Sequence, residues 1–135
     1  MDGLQAVDCL AVYLHKNQKV RVFKYERTTG FKGEYIVVNH LPFTFGQLVN
    51  TQNVLNVNIH VPALSKGGAD TRRLGEIYRI VSQLIPQDVN IEGQFGLELE
   101  GAYFSISSTS QPMQDNDNTY FLNVKVKTII NQLKM

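Results

Sequence analysis

The chain has a single cysteine, Cys9, in 135 residues, so no internal disulfide forms and there is no Cys-rich zinc site. It also lacks a long apolar run, and nothing in it approaches the ~20 residues that a bilayer-spanning helix requires. The opening helical stretch carries Asp2 and Asp8 where a secretory leader would be basic. Charge of one sign is lacking too, since 13 Lys and Arg face 12 Asp and Glu for a net +1. With 43% hydrophobic and 19% charged residues, 10 Gly and 4 Pro, the composition is that of an ordinary folded domain. A chain of this size buries about two-thirds of its unfolded surface and needs no disulfide or metal staple. A membrane protein, a stapled secreted scaffold and a disordered tail are therefore not expected.

The +1 conceals an uneven layout. Residues 1–79 sum to +4, residues 80–124 to −6 with no Lys or Arg, and residues 125–135 to +3. Such segregation either builds two faces of opposite sign or is erased where the fold interleaves the segments.

Leu4, Val7, Leu10, Ala11 and Leu14 recur at three- and four-residue steps, which predicts an amphipathic helix with Asp2 as N-cap. His15 and Lys16 suit its negative end. Residues 20–25 read as a strand, and 35–38 as its hairpin partner across the turn residues Thr28, Thr29, Gly30, Lys32 and Gly33. Four apolar residues in a row at 35–38 imply burial on both faces, or one face meeting another chain.

The clearest strand is 55–61, with Leu55, Val57, Ile59 and Val61 on one face and Asn56, Asn58 and His60 on the other. Pro62 ends it. A loop follows, and Asp70 or Thr71 then caps a second helix with Leu74, Ile77, Val81, Leu84 and Ile85 on one face. Gly75 costs that helix about 1 kcal/mol relative to Ala, so it is expected to mark close packing. Pro86 stops the helix. Residues 103–107 and 120–130 read as two more strands, the second with Asn123, Lys125 and Lys127 outward. The expectation is one α+β domain over 1–135 in the order α-β-β-β-α-β-β. Its sheet of about five strands would be largely antiparallel, with both helices on one face.

Catalytic patterns are scarce. His15, His40 and His60 share no ligand spacing, so no metal is expected. The Ser65-Lys66-Gly67-Gly68 stretch places its glycines after the lysine, and Asp70 at the helix start would repel phosphate. Glu98 and Glu100 have strand spacing that puts both carboxylates on one face, with no third polar group beside them. Asp8 beside Cys9 is a poor setting for a thiolate. No Ser, Cys or Thr sits in a nucleophile motif. No catalytic residue, cofactor or metal is assigned, and the chain is not read as an enzyme.

Lys16, Lys19, Arg21, Lys24, Arg27 and Lys32 cluster with Phe23 and Tyr25, a mixture that tracks phosphates and stacks bases. The pI of 7.9 is low for a dedicated nucleic-acid binder, which leaves modest, non-specific backbone contact. The stretch that stands out is the long connection 40–53, with Leu41, Pro42, Phe43, Phe45, Leu48 and Val49. Such a segment either folds over its own sheet or buries against a partner as an assembly arm.

The chain resembles the tail terminator or tail-completion proteins of tailed bacteriophages. The resemblance rests on the first helix running into 20–25, on VLNVNIHVPALSKGGADTRRLGEIYRIVSQLI, on YFSISS, and on YFLNVKVKTII after a polar Asp/Asn-rich loop. It covers most of the chain by pattern, without a diagnostic motif, and leaves the apolar stretch 41–49 unexplained.

The resemblance implies a non-enzymatic virion subunit, made in the host bacterial cytoplasm, that forms a ring at the head–tail neck. Such rings are commonly hexamers, with a dodecamer as the other arrangement. They dock on tail tube and head connector or portal proteins, and DNA passes through the lumen in transient non-specific contact; no membrane is involved. A head-to-tail ring needs two complementary patches per subunit. The candidates are Leu41, Phe43, Phe45 and Leu48 on the arm, the basic Lys16, Lys19, Arg21 and Lys24, and the acidic Glu98, Glu100, Asp115 and Asp117. The alternative is a small-ligand-binding or catalytic α+β domain that uses the loop 65–70.

Overall fold

The computed structural model describes residues 1–43, 50–87, 96–115 and 118–131. In chain order these form α1 (Gly3–Asn17), β1 (Arg21–Lys24), β2 (Tyr35–His40), β3 (Asn50–Pro62), α2 (Thr71–Leu84), β4 (Leu97–Leu99), β5 (Ala102–Thr109), β6 (Met113–Gln114) and β7 (Thr119–Asn131). The strands build one mixed sheet in the order β1-β2-β3-β7-β5-β4, with β6 also paired to β7. The fold is α+β.

The Asp2 carboxylate accepts from the Gln5 amide at 2.8 Å, and the Gln5 side chain accepts from the Asp2 amide at 2.9 Å. This reciprocal capping box satisfies two donors that a helix start otherwise leaves open. The buried stripe of α1 is Gly3, Ala6, Val7, Leu10, Ala11 and Leu14. Leu4, expected in that stripe, is 61% exposed because a step of about 100° per residue turns it off the face set by Gly3 and Val7.

In α2, the Asp70 side chain accepts from the Arg73 amide at 3.1 Å. Leu74, Ile77 and Val81 are buried, and Ile85 closes the helix through its N–H to Val81 O at 2.8 Å. Gly75 does not mark close packing: a Cβ there would meet only the far end of the Arg79 side chain, at 3.6 Å.

At the centre of the sheet, antiparallel β3 and β7 set Leu55 opposite Val126, Val57 opposite Val124 and Ile59 opposite Leu122. These pairs share a core with Ile36 and Val38 of β2, Phe104 and Ile106 of β5, and the buried stripes of both helices. Both helices therefore lie on one face of the sheet. Arg73 of α2 makes a two-pronged ion pair with Glu34, just ahead of β2, its Nη2 lying 2.8 Å from Oε1.

Three expectations are corrected. Among the described residues the sheet has seven strands rather than five, because β4 and β6 are too short to carry a periodic signal. β6 continues the line of β5 along β7 beyond a register shift between Ile106 and Ser108. The connection expected at 40–53 is also shorter, since His40 ends β2 and β3 already begins at Asn50.

Most consequentially, β1 and β2 are parallel, with Val22 opposite Ile36 and Phe23 opposite Val37. They do not form a hairpin. Residues 25–34 cross the helix-free face of the sheet instead, and Phe31 packs edge-on to Phe23 and Tyr35 at 5.1 and 6.0 Å. Burying Phe23, Tyr35 and Val37 under a partly buried Phe31 in this second small cluster rewards the crossing, which a tight turn would forgo.

Candidate functional site

The described part of the apolar connection grows out of a patch centred on His40. The His40 ring lies over Gly3 so closely that a Cβ at Gly3 would sit 2.8 Å from it. Glycine at the first turn of α1 therefore makes room for an imidazole. The ring meets Tyr25 edge-on at 5.8 Å and Phe43 edge-on at 5.5 Å. Its Nδ1 lies 2.7 Å from Leu41 O.

Tyr25 has a positive φ of 70°, a conformation unusual outside glycine, which turns its ring away from the strand line. Partial burial, then the carboxylates of Asp8 and Asp2, push its phenol above the usual range. Tyr25 and Leu41 are each 42% exposed, so large apolar side chains stand in solvent beside the start of the 41–49 segment, and Leu4, one residue beyond Gly3, is 61% exposed.

A groove of about 850 Å³ runs along the other flank of α1, between Cys9, Val12, Tyr13 and Lys16 and the β4–β5 turn with Glu98 and Glu100. Cys9 donates its S–H to the Glu100 carboxylate at 2.5 Å. Burial, that hydrogen bond and the charges of Glu100 and Asp8 push the thiol up to about 12, so Cys9 stays protonated and unreactive. Val12 is 50% exposed in this groove. The neighbouring Asp8 reaches the opposite way and pairs with Lys24 of β1 at 2.8 Å. Consecutive residues of α1 thus hold on to both ends of the strand order.

The helix-free face carries a polar ladder at its centre. Asn56 donates to Asn39 Oδ1 at 2.8 Å, and its own Oδ1 accepts from Asn123 at 3.1 Å and Lys125 at 3.2 Å. Asn123 also donates to Asn58 Oδ1 at 2.7 Å. At one end, Tyr35, His60 and Phe121 stack across three strands with centroid spacings of 4.4 and 5.0 Å. Burial lowers the pKa of His60 against the pull of Asp115, whose carboxylate lies 3.5 Å from Nδ1, and Arg27 lowers it further.

The sequence candidates fall in different places. Leu41 and Phe43 join the His40 patch, whereas Phe45, Leu48 and Asp117 lie outside the described residues. Lys19 precedes the edge strand β1, while Arg21 and Lys24 lie on it, and Arg21 covers the Phe23 ring at 5.2 Å. Lys16 shares the α1 groove with Glu98 and Glu100, so the charge segregation along the chain is not kept there. Glu100 is not on a strand face with Glu98: β4 ends at Leu99, and Glu100 turns with φ 50°.

Asp115 stands on the other face, beside His60. The loop 65–70 is exposed from 65 to 68 and lines neither the α1 groove nor the cavity behind the 25–34 crossover. Among the described residues, no three His, Cys, Asp or Glu side chains converge as a metal-ligand set, and no helix is long and apolar enough to cross a membrane.

Sequence reasoning missed Gly3, Tyr25 and His40 as parts of the patch. Leu4 fits the apolar stripe of the first helix in the sequence, so no local pattern pointed to the patch. Comparison with known protein families and with curated proteins gives no match for this chain.

Proposed function

We propose that the protein is a non-catalytic structural subunit of a tailed-phage virion, assembling as a ring at the head–tail neck. The observation that carries this reading is the exposed apolar patch of Tyr25 and Leu41 around His40 and Phe43, with the exposed Leu4 next in the chain to the Gly3 under the His40 ring. It lies at the root of a segment that continues Phe45, Leu48 and Val49. Exposed apolar groups gathered at one place are a docking surface rather than a solvated one. The sequence resemblance supplies the ring and its setting, and the sheet supplies edges at β1 and β4 to which a neighbour could add main-chain hydrogen bonds.

The reading places affinity in apolar contact and leaves charge a lesser part, since Lys24 is paired within the chain to Asp8 and Lys16 lies among carboxylates. The test is native mass spectrometry and negative-stain microscopy of the purified protein, alone and with its cognate tail tube and connector proteins. Rings or a stable complex are expected, and Phe43→Ser with Phe45→Ser should abolish them while the chain still folds cooperatively, at a lowered thermal midpoint because Phe43 also packs against the main core. A chain that stays monomeric at high concentration and binds neither protein overturns the proposal, as does normal assembly of the double variant.

A further inference from the structure

His60 is 8% exposed, and its Nδ1 is buried with no hydrogen-bond partner among the described residues. The rings of Tyr35 from β2 and Phe121 from β7 stack on it, and the Tyr35 phenol is the other titratable group of that stack. Burial opposes the imidazolium form of His60 most strongly. The Asp115 carboxylate, just past β6, lies 3.5 Å from Nδ1 and favours that form, whereas Arg27 in the crossover 25–34 opposes it.

The crossover is fixed at both ends and sparsely packed between them. At one end Tyr25 donates its N–H to Val38 O at 2.9 Å, and at the other Glu34 is paired with Arg73. Between these ends Thr28, Thr29, Gly30, Lys32 and Gly33 are exposed, and a Cβ on Gly30 or Gly33 would meet nothing within 4 Å. A hollow of about 410 Å³ separates the crossover from Pro62 and the start of β7. Phe31 and Arg27 hold it to the sheet: Phe31 meets Phe23 and Tyr35 edge-on, and the guanidinium lies 6.0 Å from the Tyr35 ring centroid. A segment with so few buried contacts opens at low cost.

We infer that residues 26–33 form an acid-released strap, with His60 beneath its Tyr35 contact as the trigger. Tyr35 joins the two parts, since His60 stacks on it at 4.4 Å while Phe31 and Arg27 reach it from the strap. Lifting the strap uncovers that stack and takes Arg27 away, but leaves Asp115 beside Nδ1. Both influences against the imidazolium weaken, and the one in its favour stays. His60 therefore binds a proton better with the strap lifted, and by linkage a fall in pH favours the lifted arrangement. At neutral pH the strap lies shut over Phe23 and Tyr35, and in acid it bares both rings. The switch is independent of ring assembly, since it uses neither His40 nor the arm residues Leu41 and Phe43.

The experiment is a pH titration of the full chain, followed by NMR through the transition of the His60 ring. Contacts of the Phe31 ring with Phe23 and Tyr35 should be lost in step with that transition, while Val57 keeps its contact with Val124 in the central strand pair. Asp115→Asn, which removes the attraction for the proton, should move the ring transition and the loss of contacts together to lower pH. Neither His60→Phe, which keeps a stacked ring, nor His60→Gln, which does not, should show the acid-dependent loss. The inference is overturned if the Phe31 contacts persist once His60 is protonated. It is equally overturned if the acid-dependent loss survives in either His60 variant, or if the contacts go only when β3 and β7 separate.

Discussion

The two faces of the sheet are made by the same strands and are held by different physics. Under the helices, Leu55, Val57, Ile59, Val124, Val126 and Phe104 interlock in a core excluded from water. On the opposite face the alternate residues are Asn56, Asn58, Asn123 and Lys125, joined side chain to side chain, with an aromatic cluster at one end. The first face gains free energy from each methylene it buries. The second gains little net free energy per hydrogen bond, but loses the desolvation cost of any partner left alone. The covered face therefore sets the stability of the molecule. The open face sets its register, because a one-residue slip of β3 against β7 would bring Asn against Leu along the whole pair.

The sharpest way to probe this contrast is to empty the covered face. Phe104→Ala removes a fully buried ring from the main core and should cost about 3–5 kcal/mol, read from urea melts. The matching change on the open face, Asn56→Ala, deletes the hub that joins Asn39, Asn123 and Lys125. It should cost roughly 1–2 kcal/mol, and Asn39→Ala made in the Asn56→Ala background should cost less than it does alone. Additive costs would show that the ladder is not a connected network.

A pH series comes next, and it isolates the aromatic end. His60 has a folded pKa below its ordinary value of 6.5, so the unfolded chain takes up its proton first as pH falls. Stability from this residue is full above about pH 6.5 and is lost as pH falls from there to the folded pKa. Melts between pH 7.5 and 5 should show this loss, and His60→Phe, which keeps a stacked ring without a titrating nitrogen, should reduce it. The smallest effect has the opposite sign. Gly75→Ala, with open space for a Cβ on α2, should raise stability by about 0.8 kcal/mol.

Periodicity carried far in this chain. The alternation through Leu55, Val57, Ile59 and Val61 and through Leu122, Val124 and Val126 marked the two central strands, though not their pairing, and the stripe of Leu74, Ile77 and Val81 placed the second helix. Asp2 and Asp70 were legible as caps because capping is a local act. The parallel pairing of β1 with β2 was not legible. Gly30 and Gly33 are turn residues in either topology, and the choice was made by Phe31 meeting Phe23 and Tyr35 on the far side of the sheet. The candidate site was legible only in part. Leu41 and Phe43 stood out by composition, whereas their meeting with Tyr25 and Gly3 depends on His40 lying across the first turn of α1. The contact of Cys9 with Glu100 joins residues 91 apart and has no local signature.

The pairing of β3 with β7 also bears on time. It joins residues 50–62 to residues 119–131, so the middle of the sheet closes only after residues 119–131 have left the ribosome. Until then β3 has one neighbour, β2, and exposes an unpaired edge with its apolar row beside it. Long loops must be closed before that pairing is rewarded, which makes folding slow. A nascent chain halted near residue 110 would have every buried face of the two helices ready and no central partner to complete the floor beneath them.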